Sequence, residues 1–458
     1  MSLSNDNLER KLGIFPVTNI VVANMIGAGI FTTTGYLMDF LGNPVLMLVL
    51  WLVGGVVALC GAMAFGELGA AFPEAGGEYT FISKLFHPML GFLSGWLSLI
   101  VGFSAPIAAS AIGFSNYFIW AFPSFQSWFL FDRIMSPDMF SRLLAVLVII
   151  IFSLLHARGV VLGAHVQNGL TILKVMLVVG LIIAGFAVGQ GDFAHLKAFP
   201  KSGQGFSLNF TELKSAGLSL MFIMFAYSGW NSATYIGSEI KNPLKVIPRS
   251  LLISTGLVTL LYLLLNLFFV YAIPPGKMAG EPEIGGVAVG MAFGDFAGTI
   301  ISLLISFALF SSLSAFIILG PRVYYSMARD GYFFKWVSAV HPRFKVPQNA
   351  LLLQSSIAIV LVLSGTFEQI IAYMGFSLGI FPIIAVLGVF KLRIKGESKL
   401  KLPGYPVVHI FFILISLAIL VLAYFERPWE STIAILTALS GIPLFFWFKM
   451  KKGKLDQL

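Results

Sequence analysis

Apolar stretches of bilayer length recur from one end of this chain to the other, and no other feature limits its fold so severely. Crossing a hydrocarbon core as an α-helix takes about 20 residues. Twelve candidate spans can be traced: Ile14–Leu37, Pro44–Phe65, Met89–Phe118, Ser141–Leu155, Val161–Ala187, Ser215–Gly237, Ser250–Tyr271, Phe296–Met327, Ala350–Leu363, Gln369–Phe390, Val407–Tyr424 and Ser431–Phe448. The ninth is short. The third and eighth exceed one bilayer thickness and are expected to tilt, kink or extend beyond it. Charged residues make up 11% of the chain, against about 25% in a soluble domain. The expected fold is therefore an all-α polytopic membrane protein with 12 transmembrane helices. No cleavable leader is expected, since Asp6 and Glu9 accompany Arg10 and Lys11 and no short apolar region with a small-residue cleavage site follows.

Twelve spans place both termini on one side of the membrane. That side then holds 21 of the 29 lysines and arginines, the opposite side 7, and Lys174 lies inside a span. The positive-inside rule makes the richer side cytoplasmic, with both termini there. The net charge of +9 is thereby assigned to anionic lipid headgroups, and no nucleic acid partner is expected. The expected location is the cell membrane. The one cysteine, Cys60, excludes an intrachain disulfide and a multi-cysteine metal site. The histidines lack ligand spacing, and no cofactor is expected. A membrane-embedded enzyme would need intramembrane acid/base pairs or metal ligands, and the spans carry no such constellation. An ion channel would usually be a shorter subunit repeated around a pore, with carbonyl filters or charged rings.

Within the first span, Asn24-Met25-Ile26-Gly27-Ala28-Gly29-Ile30-Phe31 sets two glycines near the middle of the run. Glycine has the most backbone freedom to lose in a helix. A broken helix persists in lipid only where its freed N–H and C=O groups line a cavity or meet a ligand. The alternative is a helix-packing face of small residues. A second interruption lies in span six, Phe225-Ala226-Tyr227-Ser228-Gly229-Trp230-Asn231-Ser232. Two breaks five spans apart are what a 5+5 inverted repeat produces, meeting across a pseudo-two-fold axis. The expected organisation is a first repeat at 1–187, a second at 188–390, and two final helices with the tail at 391–458.

The chemistry follows from the breaks. A half-helix N-terminus offers free N–H groups and a positive dipole end to a carboxylate, here from Ala28, Gly29 and Ile30, with Gly27 permitting close approach. Freed carbonyls of Ile26, Phe225, Ala226 and Ser228 accept an ammonium group. Together they suit a zwitterionic α-amino acid. Lys174 is near the middle of span five, roughly 20 Å from the cytoplasmic end at 1.5 Å per residue. A lysine at that depth is neutral, paired or hydrated. It reads either as a proton carrier or fixed cation, or as a tether bonded to carbonyls of a broken helix; the two roles are compatible.

The chain resembles the amino acid–polyamine–organocation superfamily over essentially its whole length. The likeness rests on Ile26-Gly27-Ala28-Gly29-Ile30-Phe31; Gly66-Glu67-Leu68 with Phe72-Pro73 and Gly76-Gly77-Glu78-Tyr79; Glu239-Ile240-Lys241-Asn242-Pro243 with Ile247-Pro248-Arg249; and Met327-Ala328-Arg329-Asp330-Gly331. Phe225-Ala226-Tyr227-Ser228-Gly229-Trp230-Asn231 looks like the corresponding segment of the L-type (LAT-like) branch. The resemblance implies the leucine-transporter fold with helices one and six discontinuous. It implies that Phe225 gates the substrate, that Asn231 hydrogen-bonds within helix six, and that Lys174 takes the place of a sodium ion near helix-eight Ser311, Ser312 and Ser314. Ala28 stands where serine is common, and Ser228 stands for a glycine. Ile119–Phe140 has no cysteine, so no disulfide-linked heavy chain is expected. The expected activity is alternating-access transport of amino acids, with neutral side chains favoured because no intramembrane carboxylate is placed to meet a cationic one. The expected mode is exchange, because the helix-six segment looks like that of exchangers, with proton symport as the alternative.

Overall fold

The computed structural model describes residues 10–122, 136–158, 160–197, 209–344 and 346–455. Parts of the expected outer segments, and Arg133, Lys201 and Lys345 from the charge count, lie outside the described residues. The described chain is helical, and its only extended pairing is at two isolated bridges, Leu12 with Ile240 and Ala75 with Ile236. In chain order the helices are α1 (Ile14–Met25), α2 (Ala28–Leu41), α3 (Pro44–Ala71), α4 (Glu78–Leu85), α5 (Pro88–Leu97), α6 (Ser104–Ala121), α7 (Pro137–Ala157), α8 (Val160–Ala187), α9 (Phe210–Ala226), α10 (Pro243–Ala272), α11 (Pro275–Met278), α12 (Ile284–Phe293), α13 (Asp295–Arg329), α14 (Gln348–Ser364), α15 (Phe367–Ile394), α16 (Val407–Glu426) and α17 (Pro428–Leu455).

Ten helical stretches, counting α1–α2 and α5–α6 as one each, are long and apolar enough to cross a membrane. The stretches expected as spans six and nine are helices of 17 residues each, α9 and α14. Local sequence explains several boundaries. The Asn43 side chain accepts from Leu46 N (3.0 Å) and Pro44 opens α3, where a missing N–H costs nothing. Thr366 and Gln369 form a reciprocal cap at α15. The overlong third stretch is accommodated by a π-helical turn at Ser98–Gly102 between α5 and α6. The eighth is one helix of 35 residues, α13. Leucine and isoleucine side chains such as Leu147, Leu154, Ile183, Leu260, Leu414 and Leu436 point outward and exposed, as a lipid-facing surface requires.

The first expected span is interrupted at Ile26 and Gly27, where the backbone is extended between α1 and α2. Gly29 is not in the interruption but in the first turn of α2. In the sixth stretch, α9 ends at Ala226. The chain then turns through Gly229 (φ 98°) into short 3₁₀ segments at Ser232–Tyr235 and Gly237–Glu239.

One end of the bundle gathers both chain ends and many of the basic residues. Arg10 reaches Ile240 O (3.5 Å) and Lys452 reaches Asp330 O (2.8 Å). There the buried Glu67 accepts two bonds from Arg393 (2.8 and 2.6 Å) and one from Ser398 (2.7 Å). This fork-to-fork pairing fixes the segment after α15 against the end of α3.

Candidate functional site

The two interruptions meet. A Cβ on Gly29 would lie 2.6 Å from Ala226 Cα, and one on Gly229 would lie 2.6 Å from Asn24 Cβ. Each break glycine therefore presses on the other half-helix, an approach that any side chain would prevent. Tyr262 of α10 joins them: its hydroxyl lies within hydrogen-bond reach of both Met25 O and Ala226 O (3.0 Å). Trp51, Tyr227 and Tyr262 pack ring against ring around this point, with centroids 5.1 to 5.8 Å apart.

Lys174 is fully buried on α8. Its ammonium donates to Ala23 O (3.0 Å), to Ile26 O and to Ser312 Oγ (2.8 Å). Ser312 in turn donates to Ile26 O (2.8 Å). The three expected serines separate around α13. Ser312 alone touches the lysine; Ser311 bonds Thr171 and Gln167, and Ser314 bonds His156 (2.8 Å). Among the carbonyls expected to be free, Ile26 is taken by Lys174 and Ser312, Ala226 by Tyr262, and Phe225 by Ser228 N (2.9 Å). No side chain caps α2, so the N–H groups of its first turn, including Ala28, Gly29 and Ile30, point out of the helix end without an intrahelical acceptor. The ring of Phe225 covers Gly29, with its Cε1 3.2 Å from that Cβ position.

Beside the breaks lies a cavity of about 90 Å³. Of the residues singled out from sequence, Ser228 and Asn231 line it; Ile26 to Ile30, Phe225 and Ala226 do not. Asn24, Glu78, Ser232 and Tyr235 also line it, and none had been expected to. Asn24 Oδ1 and Ser232 Oγ are buried without a protein partner. Asn231 Nδ2 donates to Glu78 Oε1 (2.8 Å), and Tyr235 OH reaches the same atom (3.4 Å). Burial pushes the Glu78 carboxyl up to about 7. Gly76 (φ 110°) and Gly77 (φ 52°) turn the chain so that Glu78 enters the interior. The signal was present in the paired glycines before Glu78, which were noted as a motif and not as a turn.

Both ends beyond the breaks are closed. At one end Tyr117 OH donates to Phe31 O and accepts from Gly285 N (3.2 Å), while Gly280 N donates to Gly35 O (3.0 Å). At the other, Lys11 and Leu12 N–H groups donate to Glu239 O (2.9 Å each), Gly76 N donates to Tyr235 O (3.3 Å), and Arg322 pairs with Glu239 (3.3 Å).

Long apolar helices, two interlocked interruptions and an internal cavity with closures on either side of them define a multi-pass membrane transport protein. The chain matches the amino acid permease family over residues 12–443 and belongs to that family. It is 28% identical to the b(0,+)-type amino acid transporter 1 of Mus musculus over 97% of this chain and 89% of that one. It is 27% identical to the serine/threonine exchanger SteT of Bacillus subtilis over 99% of this chain and all of that one. It is 27% identical to the large neutral amino acids transporter small subunit 2 of Rattus norvegicus over 96% and 80% respectively. The protein is an amino acid transporter and not an enzyme.

Proposed function

We propose that the chain exchanges neutral L-amino acids across the cell membrane by alternating access, on a twelve-helix leucine-transporter fold with termini in the cytoplasm. The observation that carries this reading is the interlock of the two breaks, with Tyr262 reaching a carbonyl of each. The repeats are those at 1–187 and 188–390, with 391–458 as an addition. The N–H groups of Ala28, Gly29 and Ile30 hold the substrate carboxylate, with Gly27 keeping the approach open. The ammonium is held by carbonyls of Ile26, Phe225, Ala226 and Ser228 as protein donors release them. Phe225 is the gate, and Asn231 orders the turn after α9. Lys174 is a tether that bonds the first break through Ser312, with Ser311 and Ser314 bracing α13 on either side of it.

Exchange is favoured because one curated relative is named as an exchanger and because the lysine's three donors are all engaged. Proton symport is the second reading. Neither reading includes a disulfide-linked heavy chain. Purified protein in proteoliposomes is expected to take up labelled L-serine only when unlabelled amino acid is trapped inside. Accumulation into empty vesicles driven by an imposed pH gradient would replace exchange with symport.

A further inference from the structure

The cavity beside the breaks has one ionisable acid and no lysine, arginine or histidine among its lining residues. That acid is Glu78, 7% exposed. A buried carboxylate without a cation is costly in its charged form, and hydrogen bonds only partly offset this. Among the described residues that line the cavity, no other is charged. The turn after α9 faces it with Asn231 and Tyr235; α5 supplies Ser94, the π-helical turn Ser98, and α15 Ser377. On its own helix, Lys84 is engaged with Glu74, and Tyr79 donates to Asp330 (2.5 Å). Among the described residues, Tyr235 is thus the titratable neighbour that hydrogen-bonds it.

From this geometry we propose that Glu78 is a proton-binding site of the transport cycle, and that its carboxyl must carry a proton while the cavity holds a neutral amino acid. The proton comes from water on the side to which the cavity opens and adds to a carboxylate oxygen; no other bond changes. Asn231 couples this event to the second break, because it bonds Glu78 and lies three residues beyond Ser228. An uncharged Glu78 leaves the cavity neutral for a substrate without net charge. An ionised Glu78 leaves an uncompensated negative charge against Asn231 and weakens that substrate's hold. With its carboxyl pushed up to about 7 by burial, the protonated fraction changes across the physiological range.

The proposal rests on the transport reading above, and the test separates the two. Exchange of labelled L-serine is measured in proteoliposomes from pH 5.5 to 8.5, for the wild type, Glu78→Gln and Tyr235→Phe. The wild-type rate is expected to fall about tenfold between pH 6 and pH 8, following the protonated fraction of a group that titrates near 7. Glu78→Gln is expected to give a flat profile that exceeds the wild type at pH 8. Tyr235→Phe removes a donor that favours the charged form, so its midpoint is expected to move upward. If Glu78→Gln fails to fold, the Tyr235→Phe midpoint decides alone. A Glu78→Gln profile like that of the wild type, or an unmoved Tyr235→Phe midpoint, overturns the proposal. So does loss of competition by L-ornithine in Glu78→Gln with the pH profile intact, which would assign the carboxylate to a cationic side chain. A wild type that exchanges no amino acid overturns the transport reading and this proposal with it.

Discussion

The two helix breaks are built to opposite specifications. At the first, between α1 and α2, protein donors already fill the freed carbonyls: Lys174 on Ala23 and Ile26, Ser312 on Ile26, Tyr262 on Met25. At the second, after α9, backbone carbonyls are also met, Ala226 O by Tyr262 and Phe225 O by Ser228 N, but side-chain groups beside it are not. Ser232 Oγ, and Asn24 Oδ1 on α1, have no partner among the described residues, and both residues line the cavity. Lys174, Ser312 and Tyr262 come from three helices, so the first break is held from several directions. The second follows a glycine at positive φ into short 3₁₀ turns. The first break is a frame held from three helices, and the second stands beside unmet side-chain groups in the cavity wall.

Substitutions can break or sharpen that contrast. Gly29→Val should have the largest effect, because its side chain would collide with the backbone of Ala226. A loss of about 3 kcal/mol is expected for overpacking of this kind, read as a lowered melting temperature in detergent. It would also abolish exchange, so this variant cannot separate binding from folding. Lys174→Ala should come next. It strips two bonds from the first break and one from Ser312, and is expected to cost about 2 kcal/mol after partial replacement by water. Its apparent affinity should change more on one face of the membrane than on the other, because the tether biases one orientation. Equal affinities on both faces, with a normal rate, would remove Lys174 from the mechanism. Tyr262→Phe deletes one hydroxyl and should cost about 1 kcal/mol in chemical denaturation. Ser232→Ala should change stability least, by less than about 0.5 kcal/mol, since its hydroxyl has no partner to lose. If substrate affinity nevertheless weakens, Ser232 serves the ligand; an unstable Ser232→Ala would refute the looseness of the second break.

Much of the frame was legible before any coordinates. Hydropathy located the helices, since only a helix satisfies its own backbone in lipid. The two glycines in an apolar run marked the first break to within a residue or two, although Gly29 proved to matter for contact with Ala226 and not for interruption. Lys174 announced itself because a charge in a span needs partners. Tyr262 could not be found this way: a tyrosine amid Leu260-Leu261-Tyr262-Leu263 looks like any other core aromatic. The family resemblance places Ser311, Ser312 and Ser314 together near Lys174, but successive helical residues point about 100° apart, and each has a different neighbour. Glu78 was hidden for another reason. It lies in a segment that reads as a connector, and its burial depends on a turn at Gly76 and Gly77 that carries it back into the bundle.

A hydroxyl has one hydrogen, and Tyr262 has two carbonyls within reach. While the half-helices touch, the phenol divides its hydrogen between Met25 and Ala226 and draws them together. Once they separate, it can follow only one. The other carbonyl is then stranded in a dry interior, where an unmet acceptor is expensive. On the proposed transport reading, parting the breaks would also free a carbonyl for an ammonium group. Tyr262 is thus a shared key, holding two doors with one hydrogen.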